Sequence, residues 1–73
     1  MPLVTVQTIE NVLTPEQKKQ IIQKITDAIV AIEGESARGI TWVKIEEVRE
    51  GNWGVGGQPL FARDVLRMQN KGA

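Results

Sequence analysis

Seventy-three residues carry nine Lys+Arg against nine Asp+Glu, for a formal charge of zero, and contain neither cysteine nor histidine. The length suits a single domain spanning residues 1–73, and below roughly 70–80 residues a chain ordinarily leans on disulfides, a structural metal or a partner subunit. Disulfides, thiolate sites and His-based metal or acid–base chemistry are excluded by composition, a balanced charge disfavours nucleic acid and anionic membranes, and oligomerisation is left to complete the core.

The opening Met1-Pro2-Leu3-Val4-Thr5-Val6-Gln7-Thr8-Ile9 is rich in β-branched residues and reads as a strand. Leu3, Val4, Val6 and Ile9 fall on both faces, which predicts a strand covered on both sides. Glu10 to Leu13 connect it to a helix. Thr14 has the character of an N-cap, Pro15 suits the first helical position, and Gln17 completes a capping box. From Pro15 to about Glu33, Ile21, Ile22, Ile25, Ala28, Ile29 and Ile32 recur at three- and four-residue steps as one apolar stripe. Gly34 occupies the place of a left-handed C-terminal cap.

A turn from Glu35 to Gly39 leads into a second strand, Ile40 to Val48. There Val43 and Ile45 share one face, and Trp42, Lys44 and Glu46 share the other. Strand, long helix and strand make a βαβ unit, whose right-handed crossover sets the strands parallel. Four glycines between Gly51 and Gly57 mark tight turns or a small hairpin. Pro59 to Lys71 is expected as a short helix or arm whose Leu60, Phe61, Val65, Leu66 and Met68 pack on a neighbouring subunit. The architecture expected is therefore α+β. No stretch is long and apolar enough for a transmembrane helix or a signal-peptide core, so the expected location is the cytoplasm.

Met1-Pro2 carries the most specific chemistry. Initiator methionine is commonly removed before a small residue, and an N-terminal proline is a secondary amine, nucleophilic and basic. Burial lowers the pKa of such an amine and moves a base toward neutral pH. The glycine-rich stretch around Trp53 departs from G-x-G-x-x-G and precedes no immediate helix, so it reads as a structural turn and not as a phosphate cradle. Glu46 and Glu47 point to opposite strand faces and cannot act as an acid–base couple. Lys44 and Glu46 suit a surface ion pair. Arg63, Arg67 and Lys71 fit a solvated basic stripe on a terminal helix.

Taken in order, the Met-Pro strand opening, Thr14-Pro15-Glu16-Gln17-Lys18, Ile45-Glu46-Glu47-Val48 and Asn52-Trp53-Gly54-Val55-Gly56-Gly57 resemble the 4-oxalocrotonate tautomerase family over about residues 2–60. The resemblance implies a homo-oligomer, a hexamer arranged as a trimer of dimers, with active sites at subunit boundaries. It also implies a reaction without cofactor or metal, in which Pro2, exposed by loss of Met1, is the catalytic base. Pro2 would move a proton between oxygen and carbon of a 2-hydroxydienoate or 2-oxo acid.

The family's aromatic wall falls on Trp53. Its two arginines do not carry over: the one before the helix aligns with Val12 or Leu13, the one on the second strand with Trp42. Charge-assisted bonds to a carboxylate are the strong ones, so a dicarboxylate of the founding type is not expected. Lys44, or an arginine such as Arg38 or Arg49 or one from a neighbouring subunit, becomes the candidate cation for a monocarboxylate or enol substrate. Trp42 and Trp53 would bound an apolar pocket. Three alternatives stand beside this reading: a non-catalytic ligand-binding or scaffold oligomer, one subunit of a hetero-oligomeric tautomerase, and a hydratase or dehalogenase variant using Glu46.

Overall fold

Two strands and a helix between them form the body of the subunit. The computed structural model describes the backbone of residues 1–72 and the side chains up to Asn70. In chain order it contains β1 (Leu3–Ile9), α1 (Pro15–Glu33), a 3-10 turn (Glu35–Ile40), β2 (Trp42–Val48), β3 (Trp53–Val55), β4 (Gln58–Leu60) and α2 (Ala62–Gly72). β1 and β2 are parallel, in register from Leu3 opposite Trp42 to Ile9 opposite Val48. The Trp42 N–H donates to the Pro2 carbonyl at 2.9 Å, and the Glu10 N–H to the Val48 carbonyl at 2.8 Å, which closes the ladder at both ends.

The capping box of α1 is formed as expected. Thr14 Oγ1 accepts from the Gln17 N–H at 3.1 Å, and Gln17 Oε1 accepts from the Thr14 N–H at 2.9 Å. At the other end Gly34 has the expected positive φ, 103°, but a ψ of 160°. It therefore lies in the positive-φ region open essentially to glycine alone, and not in the left-handed helical one, as the chain leaves directly into the 3-10 turn. Ile40 belongs to that turn, so β2 begins at Trp42.

Val4, Val6, Val43 and Ile45 are half-buried on the sheet face that α1 covers. Glu47 shares this face, and its carboxylate meets Lys18 of the helix at 2.8 Å. The apolar stripe differs from expectation at its end: Val30 is 8% exposed while Ile32 is 85% exposed. Two residues span about 200° of an α-helix at ~3.6 residues per turn, so with Val30 turned to the core Ile32 of the same last turn faces away from it. On the other flank of the helix Ile21, Ile25 and Ala28 line an open groove of about 500 Å³.

Within one subunit the second sheet face is covered only in part. Leu3 is 59% and Trp42 60% exposed, and only the C-terminal end of that face is packed. There the β3–β4 hairpin and α2 fold back, so that Trp53, Leu60 and Val65 pack on a cluster of Ile9, Val12 and Ala62. Gly56 and Gly57, with φ of 59° and 83°, form the two-residue turn between Val55 and Gln58.

The fold-back is tied by Glu50. Its Oε1 accepts from the Ala62 N–H at 2.7 Å and its Oε2 from Asn11 Nδ2 at 2.9 Å. Its own N–H donates to Glu10 Oε1 at 3.1 Å. Asp64 Oδ2 accepts from the Phe61 N–H at 3.0 Å, capping α2. Leu66 and Met68 remain exposed on that helix, and the side chain of Lys71 lies outside the described residues.

Candidate active site

The sequence singled out Pro2, Trp42, Lys44 and Trp53, and the fold divides them into two groups. Pro2 is half-buried at the N-terminal end of the sheet, held by the hydrogen bond from Trp42 to its carbonyl. Proline has no N–H to give to the ladder, so its nitrogen takes no part in pairing. Leu3, Trp42 and Lys44, with Ile22, Thr26, Gly39, Thr41 and Val43, line a cleft of about 400 Å³, which Pro2 does not itself line but adjoins through Leu3 and Trp42. Thr41, next to Trp42, is fixed by its Oγ1, which donates to the Ala37 carbonyl at 2.7 Å.

Lys44 stands one pleat repeat beyond Trp42 on the same face, opposite Thr5. Its Nζ lies 3.4 Å from Glu46 Oε2, the ion pair expected from the spacing. Glu46 is opposite Gln7, whose Nε2 donates to Glu46 Oε1 at 3.3 Å. The Gln7 hydrogen bond, then the charge of Lys44, hold the Glu46 carboxyl below its ordinary pKa. Sequence reading passed over Gln7; the parallel register, which places it across from Glu46, is the signal that finds it.

Trp53 is at the other end. It lines a cleft of about 170 Å³ with Gln7, Thr8, Ile9, Leu60 and Val65. Pro2 and Gln7 are separated by five residues of extended chain, about 17 Å at ~3.3 Å per residue. Pro2 and Trp53 of one subunit therefore do not touch a common small molecule.

The other candidate cations sort by their partners. Arg38 Nε and Nη1 donate to Glu35 Oε1 and Asp27 Oδ1, both at 2.8 Å. Those bonds raise the pKa of the guanidinium and lower that of Glu35, and they commit Arg38 to a surface network. Arg63 stacks on the Phe61 ring at 5.0 Å. Arg49 and Arg67 have no ion pair among the described residues. The described residues contain no group of His, Cys, Asp or Glu that would hold a metal, and no helix long and apolar enough to cross a membrane. The groove along α1 is larger than the cleft beside Pro2, but Lys24 is its sole titratable lining residue. It offers no base, so the chemistry is sought at Pro2.

A parallel βαβ unit with one long helix, a C-terminal hairpin and a Met-Pro strand opening defines a small 4-oxalocrotonate tautomerase-type α+β fold. The "Tautomerase enzyme" family model matches residues 2–63. A probable tautomerase of Dickeya dadantii is 38% identical over 63 residues, covering 86% of this chain and 92% of the relative. The 2-hydroxymuconate tautomerase of Bacillus subtilis is 40% identical over 60 residues, covering 82% and 94%. Among solved structures, a 4-oxalocrotonate tautomerase homologue superposes with a TM-score of 0.71 at 26% identity, covering 88% of this chain and 95% of the other. Another such homologue superposes at 0.68 with 35% identity, covering 86% and 97%. The chain belongs to the 4-oxalocrotonate tautomerase family, and its relatives support an enzymatic activity of the tautomerase type. Most of α2 lies beyond the span that the family model matches.

Proposed function

We propose that this chain is a cofactor-independent tautomerase whose general base is the amine of Pro2, freed by removal of Met1. The observation that carries this reading is local. The Trp42 N–H pins the Pro2 carbonyl, and Trp42 and Leu3, the two residues that adjoin Pro2 in the ladder and in the chain, form the apolar wall of a cleft that also holds a cation, Lys44. The substrate class is a small enol or 2-oxo acid with one carboxylate. Lys44 binds that carboxylate, and Trp42 packs against the apolar remainder.

The neutral amine takes the enol O–H proton. The electron pair of the breaking O–H bond becomes the new C=O π bond, and the displaced π electrons take the proton back from the prolinium at carbon. The amine ends as it began and no electrons leave the substrate. Covering the amine on binding disfavours its charged form and keeps it a base near neutral pH. In a homo-oligomer, a hexamer built as a trimer of dimers, Trp53 of a second subunit closes the pocket, since the same subunit's Trp53 lines a cleft with Gln7, about 17 Å along the strand from Pro2 at ~3.3 Å per residue.

The test is ketonisation of phenylenolpyruvate by protein whose mass shows Met1 absent, beside Pro2→Ala. The expected loss is about 10²- to 10⁴-fold, the usual contribution of a general base. Equal rates in both proteins would remove Pro2 from the chemistry. Lys44→Ala is expected to raise KM more than it lowers kcat, and Arg49→Ala to leave both unchanged. One observation favours a second reading, a ligand-binding or scaffold oligomer: Trp53 already has a structural role in the Ile9 cluster. Ligand binding at the cleft without turnover by the Met1-free protein would support it.

A further inference from the structure

The open face of the sheet carries a polar ladder of which the mechanism above uses only Lys44. Glu46 touches both its neighbours, Lys44 through Oε2 at 3.4 Å and Gln7 through Oε1 at 3.3 Å. One oxygen faces along β2 and the other across to β1, so the pair of contacts sets the orientation of the carboxylate. Ionised at neutral pH, Glu46 places a fixed negative charge beside the candidate carboxylate-binding ammonium.

That charge has a consequence for what Lys44 can hold. A substrate carboxylate seated on Nζ shares one positive charge with Glu46. A second carboxylate on the same small molecule then meets an anion with no further cation of that subunit close by to offset it. Lys18 is occupied by Glu47 and Arg38 by Glu35 and Asp27. Arg49, without an ion pair among the described residues, lies five residues beyond Lys44, past the end of β2, about 17 Å away along extended chain at ~3.3 Å per residue. Like charges several ångströms apart at a partly exposed site repel appreciably at an effective dielectric constant of about 20.

We propose that Glu46 is a specificity-determining residue that restricts the Lys44 site to monocarboxylates and rejects dicarboxylates, with Gln7 as the positioning residue that keeps the carboxylate in place. The proposal rests on Lys44 as the substrate's cation. It sets this chain apart from its Bacillus subtilis relative, whose name specifies 2-hydroxymuconate, a dicarboxylate.

The experiment is a titration of the full chain with cinnamate, a monoanion, and with muconate, a dianion, followed by tryptophan fluorescence. Wild type is expected to bind cinnamate at least tenfold more tightly than muconate. Glu46→Gln narrows that ratio about tenfold, equivalent to about 1.4 kcal/mol, chiefly by tightening muconate. Gln7→Ala narrows it by a smaller factor, because the carboxylate stays but loses its orientation. Raising ionic strength from about 0.01 M to about 1 M shortens the Debye length from about 30 to about 3 Å. It should narrow the ratio for wild type and leave Glu46→Gln nearly unaffected.

A ratio that moves less than about twofold (under ~0.5 kcal/mol) on Glu46→Gln overturns the proposal. If that variant does not fold, a wild-type ratio insensitive to salt overturns it equally, as does absence of binding by both ligands. The titration needs no turnover. A Pro2→Ala protein with unchanged activity would refute the base and leave the selectivity readable, whereas Lys44→Ala with unchanged affinity for both ligands would refute the cation.

Discussion

Ile9→Ala tests whether the hairpin and α2 are hung on the cluster at the C-terminal end of β1. Ile9 is 4% exposed and sits where Val12, Ala62, Trp53, Leu60 and Val65 converge. Truncation removes three carbons, about 2.4 kcal/mol at ~0.8 kcal/mol per buried methylene. A cavity contribution brings the expected loss to about 3 kcal/mol, inside the ~2–5 kcal/mol range for such changes. A chain of 73 residues holds roughly 4–11 kcal/mol at ~0.05–0.15 kcal/mol per residue, so this single change removes a large share. The assay is urea unfolding at one fixed chain concentration, since association shifts apparent stability. It is followed by far-ultraviolet circular dichroism and by tryptophan fluorescence, with Ile32→Ala as control. Ile32 is 85% exposed, and its truncation should cost under about 0.5 kcal/mol. A loss below about 1 kcal/mol for Ile9→Ala would mean that the cluster does not hold the fold-back, and the reasoning from burial would fail.

Thr14→Ala removes the hydroxyl that accepts the Gln17 N–H and should cost about 1 kcal/mol in the same assay, with Thr14→Ser close to wild type. Gly51 has φ 85°, and a Cβ there would lie 3.3 Å from Phe61 Cε1. Gly51→Ala should therefore destabilise by at least about 1 kcal/mol. Gly39 has ordinary backbone and open space around it, so Gly39→Ala should be neutral or stabilise by up to about 1 kcal/mol; a melting-temperature series resolves the two signs. The Glu50 carboxyl is held below its ordinary 4.5 by the Asn11 hydrogen bond and then by the Ala62 N–H. Its folded pKa being depressed, its contribution is present above that ordinary value and is lost as pH falls through the folded value. Glu50→Gln should flatten the loss of stability in that acid window relative to wild type, and an unchanged profile would show that the Glu50 contacts do not anchor α2.

The βαβ unit was legible because several local signals agree. Thr14, Pro15 and Gln17 specify where α1 begins, and the strands on either side carry β-branched residues at the right lengths. Val30 and Ile32 show the limit of periodicity: it defines a broad apolar stripe but not which edge of that stripe the sheet covers. The hairpin was legible only as a glycine-rich turn; which glycines take positive φ depends on the pairing of Trp53 with Leu60. The separation of Pro2 from Trp53 was not legible at all, because it arises from long-range bonds. Glu50 ties Asn11 to Ala62, and that tie sends the hairpin back onto Ile9. The pair Lys44–Glu46 was readable from a two-residue spacing, whereas Gln7 became visible only through the register between β1 and β2.

The exposed face of the sheet connects stability to the proposed chemistry. Composition removes disulfides and thiolate metal sites, and the subunit buries only Ile9, Val12, Val30, Ala37 and Ala62 among its described apolar residues. Leu3 and Trp42 are left in solvent at the end where Pro2 sits, while Trp53 waits at the far end of the same face. Under the proposed reading both shortages have one remedy. A second subunit that covers Leu3 and Trp42 removes apolar area from water and delivers its own Trp53 to the cleft. The same covering excludes water from the Pro2 amine, which favours its neutral form. Association is then a condition for catalysis and not only for folding. That coupling explains how a chain with so small a core can maintain a base whose reactivity depends on being desolvated.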